Sequence, residues 1–215
     1  MGLGRPGVWL LLAAFGPSAQ AQDVSAALYG AAVSNGEVSR DRQAHGLGIG
    51  ADVAVELGRT RLEARGLTTA LEAPSSEQRD YAMHELEMVA TYRWRPPLSF
   101  QIAVERRFLS PDFAAQEVGL VRLGVHSETA LSSLGLIAGY ASYLPVTRFS
   151  GGGDGGFAVE LGFGMRVGPP DGRFSGLLEY SYQRIDRTVS SRSASIAYSV
   201  ARLGVRGRLT SGGRR

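Results

Sequence analysis

The sequence predicts an all-β chain: an up-and-down antiparallel transmembrane β-barrel of about ten strands, with eight as the rival count. Three observations lead there. From residue 45 onward, apolar residues recur at every second position over runs of ten or more, the period of a strand with two unlike faces. Between the runs, tight connections rich in Pro and Gly alternate with longer polar ones, as in barrels with short turns at one rim and loops at the other. The residues opposite the apolar row are small or charged, with acids and arginines close to balance.

The elements follow in order. Residues 1–21 read as a secretory leader, with Arg5 as the positive region, Val8 to Phe15 as the apolar stretch and Ala19-Gln20-Ala21 as the small-residue cleavage signal. Cleavage is expected between Ala21 and Gln22, leaving 22–215 as the barrel domain. Eight apolar residues ahead of Gly16-Pro17 are too few for a membrane helix, which needs about 20. The first strand, 24–34, alternates only weakly. The second, 45–58, carries Gly46, Gly48 and Gly50 at alternate positions, which relieves crowding on the inner face. A Gly58-Arg59-Thr60 turn leads into 60–72 with Arg61, Glu63 and Arg65 on one parity. In 81–95, Leu86, Met88, Ala90, Tyr92 and Trp94 oppose Glu85, Glu87, Arg93 and Arg95. Pro96-Pro97 turns the chain into 98–109, where Leu98, Phe100, Ile102 and Val104 oppose Glu105 and Arg107.

Strands at 116–127 and 130–144 are joined by a Ser127-Glu128-Thr129 turn. The clearest alternation is 156–168: Phe157, Val159, Leu161, Phe163, Met165 and Val167 against Glu160, Arg166 and four small residues. After the turn from Gly168 to Gly172 come 172–185 and 191–209. In the last strand Ile196, Tyr198 and Val200 share one parity and Leu203, Val205 and Leu209 the other, so a bulge is expected near Ala201. The longer connections, 35–44, 73–80, 110–115, 145–155 and 186–190, fall at the opposite rim. Gly151 to Gly156 has only Asp154 as a side chain and reads as a mobile loop tip.

Alternation alone does not decide which face is outside; the polar face does. It carries Asp52, Glu56, Arg61, Glu63, Arg65, Glu85, Glu87, Arg93, Arg95, Glu105, Arg107, Arg122, Glu160, Arg166 and Glu179, eight acids against seven arginines. Such balance fits an enclosed lumen of ion pairs, because an unpaired buried charge is costly. Aromatics near strand ends, among them Trp94, Phe174, Tyr180 and Tyr182, fit interfacial girdles. The apolar face is therefore assigned to lipid.

On this pattern the chain resembles the small bacterial outer-membrane β-barrel proteins, the broad OmpA and OmpX-like class, over essentially all of residues 24–209. The resemblance implies insertion by the outer-membrane assembly machinery, with outer-membrane lipid and lipopolysaccharide as surroundings. A monomer is expected. One departure is the ending Leu209-Thr210-Ser211-Gly212-Gly213-Arg214-Arg215, where such proteins commonly close on an aromatic residue.

Chemistry is sparse. The chain has no Cys, no Lys and three histidines, His45, His84 and His126, none paired at metal-site spacing, so no metal or cofactor is expected. His126-Ser127-Glu128 invites a lipid-hydrolase reading, but neighbouring strand residues face opposite ways. Asp80 and His84 echo the barrel proteases weakly, being about 13 Å apart along a strand. A formal charge of +3 with charges interspersed gives no basic face for nucleic acid. The expectation is a non-enzymatic outer-membrane barrel with a structural or surface-interaction role and a lumen filled by Arg and Glu. A narrow channel for small solutes and, further off, a lipid A-modifying enzyme are the alternatives. Arg40, Arg42, Arg79 and Arg148, at or near loops, are candidate clamps for lipopolysaccharide phosphates.

Overall fold

The computed structural model describes residues 23–38, 42–73, 79–131, 135–169 and 172–211. The expected leader, its Ala21–Gln22 cleavage point and Arg40 lie outside them. Ten long strands, of 12 to 16 residues each, form the wall. They are β1 (Asp23–Glu37), β2 (Arg42–Leu57), β3 (Thr60–Glu72), β4 (Tyr81–Arg95), β5 (Leu98–Leu109), β6 (Val118–Ala130), β7 (Gly135–Phe149), β8 (Asp154–Val167) and β9 (Phe174–Val189), then, after a two-residue β10 (Arg192–Ser193), β11 (Ile196–Ser211). Each long strand pairs antiparallel with its sequence neighbours, β9 with β11, and β11 with β1. That last pairing closes the sheet, so no wall strand is left as an edge.

The period-2 pattern becomes two surfaces. Leu28, Ile49, Leu86, Met88, Ile102, Val104, Leu161, Phe163, Leu203 and Val205 are exposed on the outside, while alternate residues are buried in the lumen. Aromatics border this apolar belt. Trp94 and Phe100 lie 5.8 Å apart near the turn rim, and Tyr143 and Phe157 lie 6.3 Å apart toward the loop rim.

Four expectations need correction. Ser127-Glu128-Thr129 is not a turn: β6 runs on to Ala130 and β7 starts at Gly135, because a polar triplet whose alternate members face the lumen satisfies a strand as well as a turn. The connections expected at 35–44 and 145–155 are shorter, since β1, β2, β7 and β8 extend into them, whereas the one after β5 is longer and runs on to Glu117. The glycine-rich segment is tied down. Asp154 to Gly156 belong to β8, Gly151 N–H donates to Ala115 O at 3.0 Å, and Arg187 Nε donates to Gly152 O at 3.0 Å. No register shift occurs at Ala201. In β11 the even positions from Ile196 to Arg206 face inward, and Ile196, Tyr198 and Val200 are buried because the lumen itself is apolar at that end.

The lumen is in fact layered. Toward the loops it is filled by Val33, Leu71, Met83, Leu109 and Val200 on one side and by Leu120, Leu144, Phe149, Ile185 and Ile196 on the other. Phe113, on a 3-10 turn from Pro111 to Gln116, folds in and stacks on Tyr81 at 4.4 Å.

Real irregularities lie elsewhere. Leu144 and Pro145 together oppose Arg122, a bulge in β7. Pro lacks the N–H a ladder needs and is accepted at such a place. Above it β7 keeps its bonds to β6, but β7–β8 pairing ends at Tyr143–Val159.

Inside, Tyr29 lies over Gly50 and Tyr140 over Gly162, where an added Cβ would come within 2.4 and 2.3 Å of the rings. At Gly162 all three nearest atoms belong to Tyr140. Gly162→Ala is therefore expected to cost about 1–3 kcal/mol by overpacking. In a double-mutant cycle on urea unfolding, Tyr140→Ser should restore part of the loss, giving a coupling of about 0.5 kcal/mol or more; strict additivity would contradict the packing described.

Candidate functional site

Beneath the apolar layer lies a belt of charge. Inward parity brings Arg65 from β3, Glu85 and Glu87 from β4, Arg107 from β5, Arg122 from β6, Glu160 from β8, Glu179 and Gln183 from β9 and Arg202 from β11 to one level. Their contacts close into a ring around the axis. Arg107 Nε meets Glu85 at 3.4 Å, and Arg202 bridges Glu85 at 3.2 Å and Glu179 at 2.8 Å. Arg65 reaches Glu179 at 3.1 Å and Glu87 at 3.7 Å. Arg122 pairs with Glu87 and with Glu160. Gln183 completes the circuit, donating to Glu160 at 3.0 Å and accepting from Arg107 at 2.6 Å.

The remaining groups attach to this ring. Arg107 also pairs with Glu105 at 2.5 Å, and its guanidinium sits 3.6 Å above the Tyr198 ring, whose hydroxyl donates to Glu85 at 2.7 Å. Tyr140 donates to Glu160 at 3.0 Å. Toward the turns, Glu63 joins Arg61 and Arg65, Arg61 reaches Glu56 at 2.9 Å, and Arg206 pairs with Asp52 at 2.9 Å. The belt leaves a central void of only about 10 Å³, near the least that holds one water. Below it the lumen opens into a chamber of about 530 Å³ facing the turn rim, with Arg93, His126, Glu128 and Arg166 on its walls.

Several expected site residues thus share one network, whereas Arg93 makes no ion pair among the described residues and Arg166 pairs with Glu128 at 3.2 Å near the mouth. Arg95 leaves the lumen, its guanidinium 5.2 Å over the Trp94 ring, because β4 shifts register between Arg93 and Arg95. His126 and Glu128 line the chamber while Ser127 has the opposite parity, so the three do not assemble. Asp80 caps the β3–β4 loop by accepting from Ala73 N–H, and His84 points outward to share a 3.1 Å hydrogen bond with Thr68. They do not meet. Among the described residues no three His, Asp or Glu side chains are grouped to hold a metal ion.

Sequence reasoning missed Arg202 and Arg206, which hold the belt together, along with Tyr29, Tyr140, Tyr198 and Gln183. Arg202 and Arg206 share parity with Ile196, Tyr198 and Val200. Treating that apolar trio as lipid-facing hid them; one unbroken parity through the last strand would have exposed them.

Removing one partner from a buried pair strands the others, at about 3–5 kcal/mol. Arg202→Leu should therefore lower the urea unfolding free energy of the refolded protein by about that amount, and Arg79→Ala, whose partner Asp112 lies with it on the surface at 3.1 Å, should barely change it. Equal effects would refute the belt.

No protein-family model matches the chain, and no curated protein matches its sequence. Among solved structures it is similar to the outer membrane protease OmpT from Escherichia coli, at 8% identity and a TM-score of 0.54 over 88% of this chain and 98% of that one. It is also similar to an outer membrane channel from Pseudomonas putida F1, at 9% identity and a TM-score of 0.53 over 88% of this chain and 96% of that one. One is a protease and the other a channel, so the likeness carries architecture alone. The chain has the fold of the small bacterial outer-membrane β-barrels.

Proposed function

We propose that the protein is an outer-membrane β-barrel of the Gram-negative envelope, delivered through a cleaved leader and inserted by the assembly machinery, with a structural or surface-interaction role. The observation that carries the role is the sealed midsection. A ring of ion pairs with a void of about 10 Å³ lies under an apolar plug, which suits a barrel that stays shut. The exposed apolar belt supports the membrane setting, where a closed ladder leaves no backbone group unsatisfied in lipid. In this setting the turns and both described ends, Asp23 and Ser211, which pair with each other, face the periplasm.

The loop rim is then the surface that meets lipopolysaccharide and partners. Arg148, on the outer face of β7, and Arg106, on β5, flank Gly119 in one row across three strands, and Arg106 is held by Glu117 at 3.4 Å. Together with Arg79 they supply cations for lipid phosphates.

The channel reading draws on the 530 Å³ chamber, which reaches from the turn rim to the belt. Planar bilayers separate the two. Folded protein should give no discrete conductance steps; regular single-channel steps would establish the channel instead. A second measurement tests the setting itself. Met88, 68% exposed at the middle of β4, should cost about 2–4 kcal/mol of stability in lipid vesicles when changed to Arg, and folded protein should migrate differently on gels before and after heating. Folding in detergent-free buffer would refute the membrane reading.

A further inference from the structure

Charge is unevenly distributed along the lumen. The belt and the level above it are close to balance, with Glu85, Glu87, Glu105, Glu160 and Glu179 against Arg65, Arg107, Arg122 and Arg202. The turn-end mouth is not balanced. A chamber of about 250 Å³ there is lined by six arginines and two carboxylates. Four of the six are engaged: Arg61 with Glu56, Arg166 with Glu128, Arg206 with Asp52, and Arg208 with Asp23 at 4.0 Å. Arg93 and Arg173 have no carboxylate within ion-pair distance among the described residues. Arg206, although buried, also keeps an Nε–H without an acceptor.

We propose that this mouth is a binding site for a small polyanion bearing phosphate or carboxylate groups, with Arg93 as its principal contact and Arg61 and Arg166 on its flanks. Position supports the assignment. Arg93 stands on inward parity two residues beyond Thr91 and opposite Ser99, and Ser99 stands opposite His126. All four side chains line the larger chamber that adjoins the mouth, and they offer uncharged donors beside the guanidinium. A concave site walled by protein concentrates the field of its unbalanced charges, and guanidinium forks match oxyanions in geometry. Beyond them, the belt carboxylates are already paired with arginines and leave a void of only about 10 Å³, so an anion finds neither free cations nor room further in. The arrangement therefore captures an anion at the rim without passing it through, and it holds whether or not the closed-barrel role is right.

The test uses the full mature chain refolded in detergent micelles, titrated calorimetrically with sodium pyrophosphate at low ionic strength, with sodium chloride of matched ionic strength as control. Saturable binding is expected, at least about tenfold weaker in Arg93→Gln, the scale of one lost charge-assisted contact, and unchanged in Arg184→Gln, on the outer face of β9 toward the opposite rim, where Arg184 meets Asp186 at 3.1 Å. Should Arg93→Gln lose its heat-dependent gel shift, Arg173→Gln is read in its place, with a loss of about threefold or more. Heat no different from that of chloride, or equal affinity in the wild type and the mouth variants, would overturn the site. So would an equal loss in Arg184→Gln. Citrate competing with pyrophosphate supports a site that reads oxyanion charge generally, and citrate failing to compete supports one that reads phosphate.

Discussion

A wall whose strands all have two partners encloses a space that must itself be filled with satisfied groups, and here the ring of ion pairs meets that requirement. Each member has partners on more than one strand. Arg202 of β11 places one Nη on Glu179 of β9 and the other on Glu85 of β4, tying elements on different sides of the barrel. A lysine would offer one point charge where the planar guanidinium offers a fork, and the chain, which has no Lys at all, is suited to this construction. Buried ion pairs are weak evidence of net stability, because desolvation offsets attraction. What they supply here is register, since sliding one strand by a residue would turn its charges out to lipid.

The three layers of the lumen have different origins. Aliphatic side chains fill the loop end as in an ordinary protein core, where close packing alone suffices. The middle is polar because glycines at alternate wall positions admit large side chains with polar tips, Tyr29 over Gly50 and Tyr140 over Gly162. The turn end stays open, lined by arginines that outnumber the carboxylates there.

Much of this was legible in the sequence where one face was uniformly apolar and the turn had a dedicated residue. The ranges 60–72, 81–95 and 98–109 match β3, β4 and β5 to the residue, because unbroken alternation was bounded by Gly58 and by Pro96-Pro97. Legibility failed where a residue type serves two environments. Ser127, Glu128 and Thr129 suit a turn and a strand rim alike. Ile196, Tyr198 and Val200 suit lipid and an apolar lumen alike, and that ambiguity concealed Arg202 and Arg206. Pairing between β11 and β1 resolves it, and pairing is a property of the closed sheet, not of a local window.

The halted ladder between β7 and β8 has a mechanical meaning. Elsewhere, parting two neighbouring strands requires a row of backbone bonds to be broken. Above Tyr143 and Val159 no ladder joins the two strands among the described residues, although Thr147 still stands close against Gly155. Any pull or swelling that splits this cylinder lengthwise would begin its tear there, at the proline, and run downward.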